Sequence, residues 1–235
     1  MDEVLNPDLQ RKIPGNITDF MDRMLRLMPD WKMDGTTAEV LIEDFLSYLK
    51  NLSVDRVPLI DIKDEQLRLL DWPGELQSDK PRILRRIMEG GHPILRVTRR
   101  NWLAQYASVE LALQTREWVR KKSAVIKNQS PKLHLDPNRL LKKLDNYAGS
   151  EKQGRQWLSG YPQTAWLYYE TLFEGSSLSS SARTEIEKVI GRSLDPTVSV
   201  RTQKIAPLLK ELIDNYAEIQ ALLKGSPYEK FLNDE

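Results

Sequence analysis

Two adjacent arginines, Arg99 and Arg100, follow an apolar run, and Ser108 lies eight residues after Arg100. The first amide groups of a helix are unpaired and carry a partial positive charge, so a helix start favours an anion. Arginine adds fork-shaped donors that match phosphate oxygens, and a serine further along the helix adds a hydroxyl. This spacing predicts a phosphate-binding site. The alternative is a solvated strand end followed by an ordinary helix serine.

The segments on either side of the arginines have different hydrophobic periods. Ile94, Leu95 and Val97 are apolar and mostly β-branched, which favours a central strand. Leu103 and Leu111 then belong to a set of apolar residues that recurs at helical spacing, in a helix predicted to run to Trp118 or on to about residue 125. A strand that leads into a helix would hold the arginines at the junction.

Helices alternate with strands along the rest of the chain. Strands are predicted at residues 56–63, 94–98 and 164–169, and helices are predicted at residues 16–28, 36–52, 64–70, 80–89, 136–157, 182–190 and 205–223. This order predicts an α/β fold over residues 1–235 as a single domain: a helix-rich, three-layer parallel sheet flanked by helices. Ligands of such sheets bind at the carboxyl ends of the strands, where Lys63, Arg100 and Glu170 are expected.

The composition excludes several classes of site. The 235 residues carry a net charge of +1 and include no cysteine and two histidines, so we expect no metal site, no disulfide and no nucleic-acid partner. The basic run at residues 116–127, with Trp118, could contact nucleic acid but is more typical of a solvated helix face. No apolar run reaches membrane-spanning length and the N-terminus has no signal-peptide pattern, which predicts a cytoplasmic protein.

The set Arg100, Ser108, Ala112, Thr115 and Trp118 resembles the 3′-phosphate-binding segment of sulfotransferases that use 3′-phosphoadenosine 5′-phosphosulfate (PAPS). The resemblance implies that Arg100 and Ser108, with Arg99 beside them, hold the 3′-phosphate of PAPS or of its product, 3′,5′-adenosine bisphosphate. It also implies the sulfotransferase, P-loop-like form of the three-layer sheet.

Four further segments, in the same order, resemble bacterial sulfotransferases. They are residues 59–63, a strand; residues 169–172, similar to the family's Tyr-Glu-Asp-Leu but with Thr171 in place of aspartate; residues 182–194; and residues 199–232, the closing segment. The last segment implies that Arg201 and Lys204 approach the nucleotide, although a solvated loop is the alternative.

The chain departs from the family at its N-terminus. The family opens with a strand and a Pro-x-Ser/Gly-Gly-Thr-Thr-like loop that binds the 5′-phosphosulfate, and residues 34–37 only echo that loop; we interpret them as a helix cap. The resemblance therefore implies a fold that is incomplete at its N-terminus. The resemblance also matches Glu3 to a glutamate that acts as general base in some relatives. Lys63 could stabilise the leaving phosphate, although an ordinary surface lysine is the plainer interpretation.

Three functional hypotheses follow from these patterns. The first is a PAPS-dependent enzyme that transfers a sulfuryl group to an acceptor hydroxyl or amine of a small molecule or glycan, without a metal. The second is a non-catalytic or truncated sulfotransferase-like protein that binds or regulates, and the third is an unrelated α/β domain. A missing central strand would expose a sheet edge, so homo-oligomers are also expected. The sequence does not identify the acceptor.

Overall fold

The computed structural model describes residues 35–52, 59, 61–67, 71, 80–117, 120–121, 132–196, 202–203 and 208–233. The chain divides into two compact units, an N-terminal unit, Met1–His92, and a C-terminal unit, Pro93–Glu235. The expectation of one domain over residues 1–235 stays a prediction. The predicted helix at residues 16–28 lies outside the described residues.

The described part of the N-terminal unit is helical. Its helices are α1 (Gly35–Leu52), α2 (Asp64–Leu67) and α3 (Arg82–Glu89). The Arg82 guanidinium, only 5% exposed, donates to the Glu39 carboxylate at 3.0 Å and so ties α3 to α1. The predicted helices at residues 36–52 and 80–89 are confirmed, and α2 confirms the predicted helix at residues 64–70 for the part that the structure describes, residues 64–67.

The strand predicted at residues 56–63 is wrong for the residues that the structure describes there. Leu59 and residues 61–63 lie outside any strand, and Leu59 is 43% exposed. Asp61 pairs locally with Lys63, at 2.5 Å between Oδ2 and Nζ, and α2 begins at the next residue. A strand inside a parallel sheet needs burial on both faces, which this charged and exposed segment does not have.

The C-terminal unit contains the sheet and most of the helices that the structure describes. In chain order its elements are β1 (Ile94–Thr98), α4 (Trp102–Thr115), β2 (Arg120–Lys121), α5 (Pro137–Leu158), β3 (Thr164–Tyr168), β4 (Phe173–Glu174), β5 (Ser177–Leu178), α6 (Ser180–Ile190), β6 (Thr202–Gln203), α7 (Leu209–Leu212) and α8 (Tyr216–Leu223). Two 3-10 turns follow β3 and α8, at Tyr169–Thr171 and Glu229–Leu232.

Strands β1 and β3 form a parallel pair, in register from Ile94 opposite Thr164 to Thr98 opposite Tyr168. The chain between them contains α4 and α5, which is the connection that parallel strands require. The predicted alternation of helices with parallel strands is thus confirmed for this small sheet. Among the described residues the other strands form two antiparallel pairs, β2 with β6 and β4 with β5. The three-layer arrangement stays a prediction.

Helix α4 has a polar start and an abrupt end. The Asn101 side chain accepts a hydrogen bond from the Ala104 amide at 2.9 Å, which satisfies one of the unpaired donors of the first turn. At the other end Arg116 adopts a left-handed conformation with φ of 57°, so the helix ends at Thr115. The predicted continuation to residue 118 or 125 is therefore wrong, because a left-handed residue terminates the helical hydrogen-bond ladder.

Local capping signals place helices α5 and α6 correctly. The Asp136 carboxylate accepts from the amides of Asn138 and Arg139, at 2.8 and 3.3 Å, and Pro137 occupies the first helical turn. Gly191, with φ of 65°, ends α6 in the left-handed conformation that glycine adopts without strain. The helices predicted at residues 136–157 and 182–190 are confirmed, as is the strand predicted at residues 164–169.

The single helix predicted at residues 205–223 is wrong, because the described chain leaves the helical path between α7 and α8. Ile213 forms a parallel bridge with Leu133 instead of continuing the helix. The Asn215 side chain then binds the backbone of Leu135 twice, accepting from its amide at 3.1 Å and donating to its carbonyl at 2.9 Å. Contacts with a segment 80 residues away thus override the local helical period.

Two apolar clusters hold the C-terminal unit together. The larger one lies among α4, α5, α7, α8 and the final 3-10 turn, and its buried members are Leu103, Tyr106, Ala107, Leu111, Leu133, Leu135, Leu140, Leu144, Leu209, Leu212, Ile213, Ile219, Leu223 and Phe231. The smaller one packs α6 against β3 through Ala165, Leu167, Ala182 and Ile186. Trp102, directly after the polar residues that follow β1, packs against the larger cluster.

Helix α5 contains one exposed glycine that its geometry does not require. A Cβ added at Gly149 would meet nothing within 4 Å. We expect Gly149→Ala to raise the free energy of unfolding by about 0.5–1 kcal/mol, because glycine costs about that much in a helix interior. Urea unfolding followed by circular dichroism measures the change.

Gly160, just after α5, provides the matched control, because it has φ of +76° although its Cβ position is equally open. The Gly160→Ala variant should lose stability, since an alanine is strained at that φ. Equal effects of the two substitutions would contradict this account of α5.

Candidate anion-binding site

The carboxyl ends of β1 and β3 lie side by side, because Thr98 is the register partner of Tyr168. Two polar stretches therefore start next to each other: residues 99–101 after β1, and the turn Tyr169–Thr171 after β3. Helix α4 begins immediately after the first stretch, as the sequence predicts. This arrangement positions charged side chains at the edge of a parallel sheet where ligands commonly bind.

Arg99 connects the strand end to helix α4. Its Nη1 atom donates to the Ser108 hydroxyl at 3.1 Å and to the Ala104 carbonyl at 3.4 Å. Its guanidinium carbon lies 4.0 Å from the centre of the Tyr169 ring, within cation–π distance. Ser108 in turn donates to the Ala104 carbonyl at 2.8 Å. The structure thus brings the Ser108 hydroxyl to Arg99, whereas the resemblance pairs it with Arg100.

Arg100 turns toward the aromatic side chains of β3. Its guanidinium carbon lies 4.2 Å from the centre of the Tyr168 ring. Arg155 of α5 donates from Nη2 to the Tyr168 hydroxyl at 3.4 Å and lies 4.8 Å above the Trp166 ring. Arginine and aromatic side chains therefore alternate along the exposed part of β3.

The contacts of Arg155 keep its charge in place. The hydrogen bond with Tyr168, followed by the attraction of Glu151, raises the pKa of the Arg155 guanidinium above its usual value. Glu151 lies one helical turn earlier on α5 and accepts from Arg155 at 2.7 Å. These contacts place the exposed Arg155 cation beside β3.

These groups surround an open cleft of about 330 Å³, a volume suited to a small ligand. Among the described residues that line it, four side chains are cationic, three are aromatic and none is acidic; these residues are Arg99, Arg100, Asn101, Trp102, Arg155, Tyr168, Lys230 and Phe231. Like charges gathered in one cleft attract anions and raise their local concentration. The geometry therefore favours a negatively charged ligand with a planar part that can contact the rings.

The start of helix α4 already holds an anion that belongs to the chain. The Glu170 carboxylate accepts from the backbone amides of Arg100 at 2.9 Å and of Asn101 at 3.2 Å. These are the kind of unpaired amides that the sequence led us to expect as phosphate donors. In this structure the two amides bind Glu170 and so connect the turn after β3 to the turn after β1. The cationic side chains of the cleft are then the groups that can attract a ligand.

Four of the residues singled out from the sequence come together here: Arg99, Arg100, Ser108 and Glu170. Lys63 lies in the N-terminal unit, where it pairs with Asp61, and it does not follow a strand. Glu3, Arg201 and Lys204 lie outside the described residues, so their assignments stay predictions.

Sequence reasoning missed Asn101, Arg155 and Lys230. Asn101 had a usable signal, since asparagine is a preferred N-cap residue. Arg155 had a weaker one: Trp166 and Tyr168 are two residues apart in a strand and so share a face that a cation could cover. Lys230 had none, because it reaches the cleft through tertiary contacts of the C-terminal segment.

Within the described ranges, no group of three or more metal-ligating side chains is present. No helix in that part of the chain is long and apolar enough to cross a membrane. Comparison with protein families, curated proteins and solved structures gave no match.

Two substitutions of Glu170 distinguish the hydrogen bonds that its carboxylate accepts at the start of α4 from the negative charge that it places there. We expect Glu170→Gln to raise the affinity of the cleft for a phosphate-bearing anion by about twofold to fivefold, because charges near a helix N-terminus contribute about 0.3–1 kcal/mol. The glutamine oxygen still accepts from the two amides. Isothermal titration calorimetry with inorganic pyrophosphate measures the change.

The Glu170→Ala variant is the matched comparison, because it removes both the charge and the acceptor. It should lower the free energy of unfolding by about 0.5–1.5 kcal/mol, the net contribution of an ordinary hydrogen bond, because water can reach the exposed end of this contact. An unchanged or weaker affinity in a folded Glu170→Gln protein would show that the carboxylate does not oppose anion binding.

Proposed function

We propose that the protein binds a phosphorylated adenine nucleotide, of the class of PAPS and 3′,5′-adenosine bisphosphate, in the basic cleft of the C-terminal unit. The observation that carries this proposal is the grouping of four cationic side chains around one cleft at the carboxyl ends of two parallel strands. Phosphate groups match these donors, and the aromatic rings suit a planar base.

The shape of the guanidinium group supports phosphate as the recognised group. An arginine that stacks on a ring uses its flat face, so its in-plane N–H groups point outward, where they can bind two phosphate oxygens at once. Arg100 is the arginine to which this geometry applies, since its guanidinium carbon lies over the Tyr168 ring at 4.2 Å from the ring centre. The arginines are partly solvated, so the attraction should weaken as salt concentration rises.

The fuller form of the proposal is sulfuryl transfer from PAPS to an acceptor hydroxyl or amine. It draws on the resemblance of five ordered segments to bacterial sulfotransferases. Such a transfer needs a donor held in line, neutralised charge on the departing phosphate and removal of a proton from the acceptor. The cleft cations would meet the first two needs, and Glu3 is the proposed base.

A non-catalytic binding or regulatory role is the second candidate, and one observation favours it. The part of the cleft lining that the structure describes includes four cations but no carboxylate or histidine that could take a proton from an acceptor. A binding protein needs no such group. A small-molecule or glycan acceptor, a homo-oligomer and a cytoplasmic location stay predictions.

Binding of 3′,5′-adenosine bisphosphate tests the proposal without an acceptor. We expect micromolar affinity by isothermal titration calorimetry, decreasing with added salt. Arg100→Ala should weaken it about tenfold to a hundredfold, since hydrogen bonds to charged groups contribute about 1.5–3 kcal/mol. Ser108→Ala should weaken it less, because Ser108 acts by holding Arg99.

Arg192→Ala is the charge-matched control, because Arg192 is exposed in the same unit and does not line the cleft. It should bind like the wild type. Absence of binding by folded wild-type protein, or equal loss in the control, would refute the nucleotide site. Release of 3′,5′-adenosine bisphosphate from PAPS in the presence of phenolic, sugar or amine acceptors would then distinguish the enzyme from the binding protein.

A further inference from the structure

The C-terminal segment, residues 226–233, supplies one wall of the basic cleft. Lys230 and Phe231 from this segment line the cleft together with Arg99, Arg100 and Arg155. The segment ends the described chain and includes the 3-10 turn Glu229–Leu232. Part of the cleft therefore depends on a stretch that is about 130 residues from the strand end it faces.

Asn101 holds this segment in place through both donors of its amide group. Its Nδ2 atom donates to the Phe231 carbonyl at 3.1 Å and to the Asn233 carbonyl at 2.8 Å. The Asn101 side chain is 6% exposed, so these bonds are largely shielded from water. The Tyr216 hydroxyl adds a third bond of the same kind, to the Leu232 carbonyl at 2.8 Å.

Aromatic side chains also pack this segment against the start of α4. The Phe231 ring is buried and lies 5.0 Å from Trp102, measured between ring centres, and Tyr228 lies 6.3 Å from Trp102. The Tyr228 hydroxyl donates to the Asp145 carboxylate of α5, and this bond raises the pKa of Tyr228, so the hydroxyl stays protonated. The segment is thus attached to both α4 and α5.

Lys230 projects from this fixed segment. Its ammonium nitrogen lies 5.1 Å from the centre of the Phe231 ring, while the side chain itself is exposed. Since Phe231 is anchored on Trp102, the contact keeps the ammonium group near the cleft. A lysine at this point adds a compact charge with three rotatable donors, which suits a phosphate that the arginine forks reach from another side.

We propose that Lys230 binds a phosphate group of the cleft ligand, and that Asn101 is the positioning residue that places Lys230 by holding the C-terminal segment. This inference rests on the proposed nucleotide-binding function and adds a binding residue and a structural support to it. It has a reciprocal consequence: a ligand that contacts Lys230 must stabilise the segment that carries it.

The experiment uses the full chain and 3′,5′-adenosine bisphosphate as the probe. Lys230→Gln should weaken calorimetric binding about threefold to tenfold, while Lys224→Gln, an exposed lysine outside the cleft, should leave it unchanged. Asn101→Ser keeps a capping oxygen for α4 but removes the amide donors, and should weaken binding to a similar extent. Thermal melts confirm that each variant is folded.

A double mutant separates positioning from a general structural effect. If Asn101 acts through Lys230, Asn101→Ser should cost little further affinity when Lys230 is already glutamine. In the wild type, ligand should also slow amide hydrogen exchange in residues 226–233, and this protection should be lost in Lys230→Gln. A full additional loss in the double mutant would overturn the positioning role.

The outcomes distinguish this inference from the proposed function. Binding by the wild type with equal affinity for Lys230→Gln would refute the role of Lys230 and leave the nucleotide site intact. No binding by folded wild-type protein would refute both.

Discussion

Asn101 joins three segments on which the candidate site depends, two through its side chain and one through its backbone amide. Its oxygen caps helix α4 by accepting from the Ala104 amide, and its nitrogen donates to two carbonyls of the C-terminal segment. Its backbone amide also donates to Glu170, after β3. An asparagine side chain offers both an acceptor and two donors, whereas serine or aspartate could provide the cap but not the two donated bonds. One buried residue thus links the start of α4 to the turn after β3 and to the C-terminal wall of the cleft.

The cleft brings several positive charges together, and the surrounding contacts offset their mutual repulsion. Arginine side chains near one another repel, and such repulsion opposes folding. Stacking on Tyr168, Tyr169 and Trp166 places each guanidinium against the negative face of a ring. The carboxylates of Glu170 and Glu151 lie just outside the lining and add opposite charge at the strand ends and on α5. The excess positive charge faces the open side, where a ligand would neutralise it.

The sequence placed helices correctly where a capping residue bonds to nearby backbone groups. Asp136 before Pro137 and Gly191 after α6 are caps whose bonding partners lie within a few residues, and both helices were placed correctly. Errors occurred where distant contacts decide, as at Ile213, which pairs with Leu133 instead of continuing a helix. The site follows the same rule. Arg99, Arg100 and Ser108 were found from spacing along one stretch, whereas Lys230 enters the cleft only through tertiary contacts.

The three arginines of the cleft are not equivalent as ligand donors. Within the described part of the chain, Arg99 donates to Ser108 and Ala104, and Arg155 donates to Tyr168 and Glu151. Donors used inside the protein are oriented but less available to a phosphate. The Arg100 guanidinium carbon lies 4.2 Å from the centre of the Tyr168 ring, and a guanidinium that stacks on a ring keeps its N–H edges for other acceptors. Arg100 is therefore expected to make the strongest direct contact, with Arg99 and Arg155 acting mainly through charge.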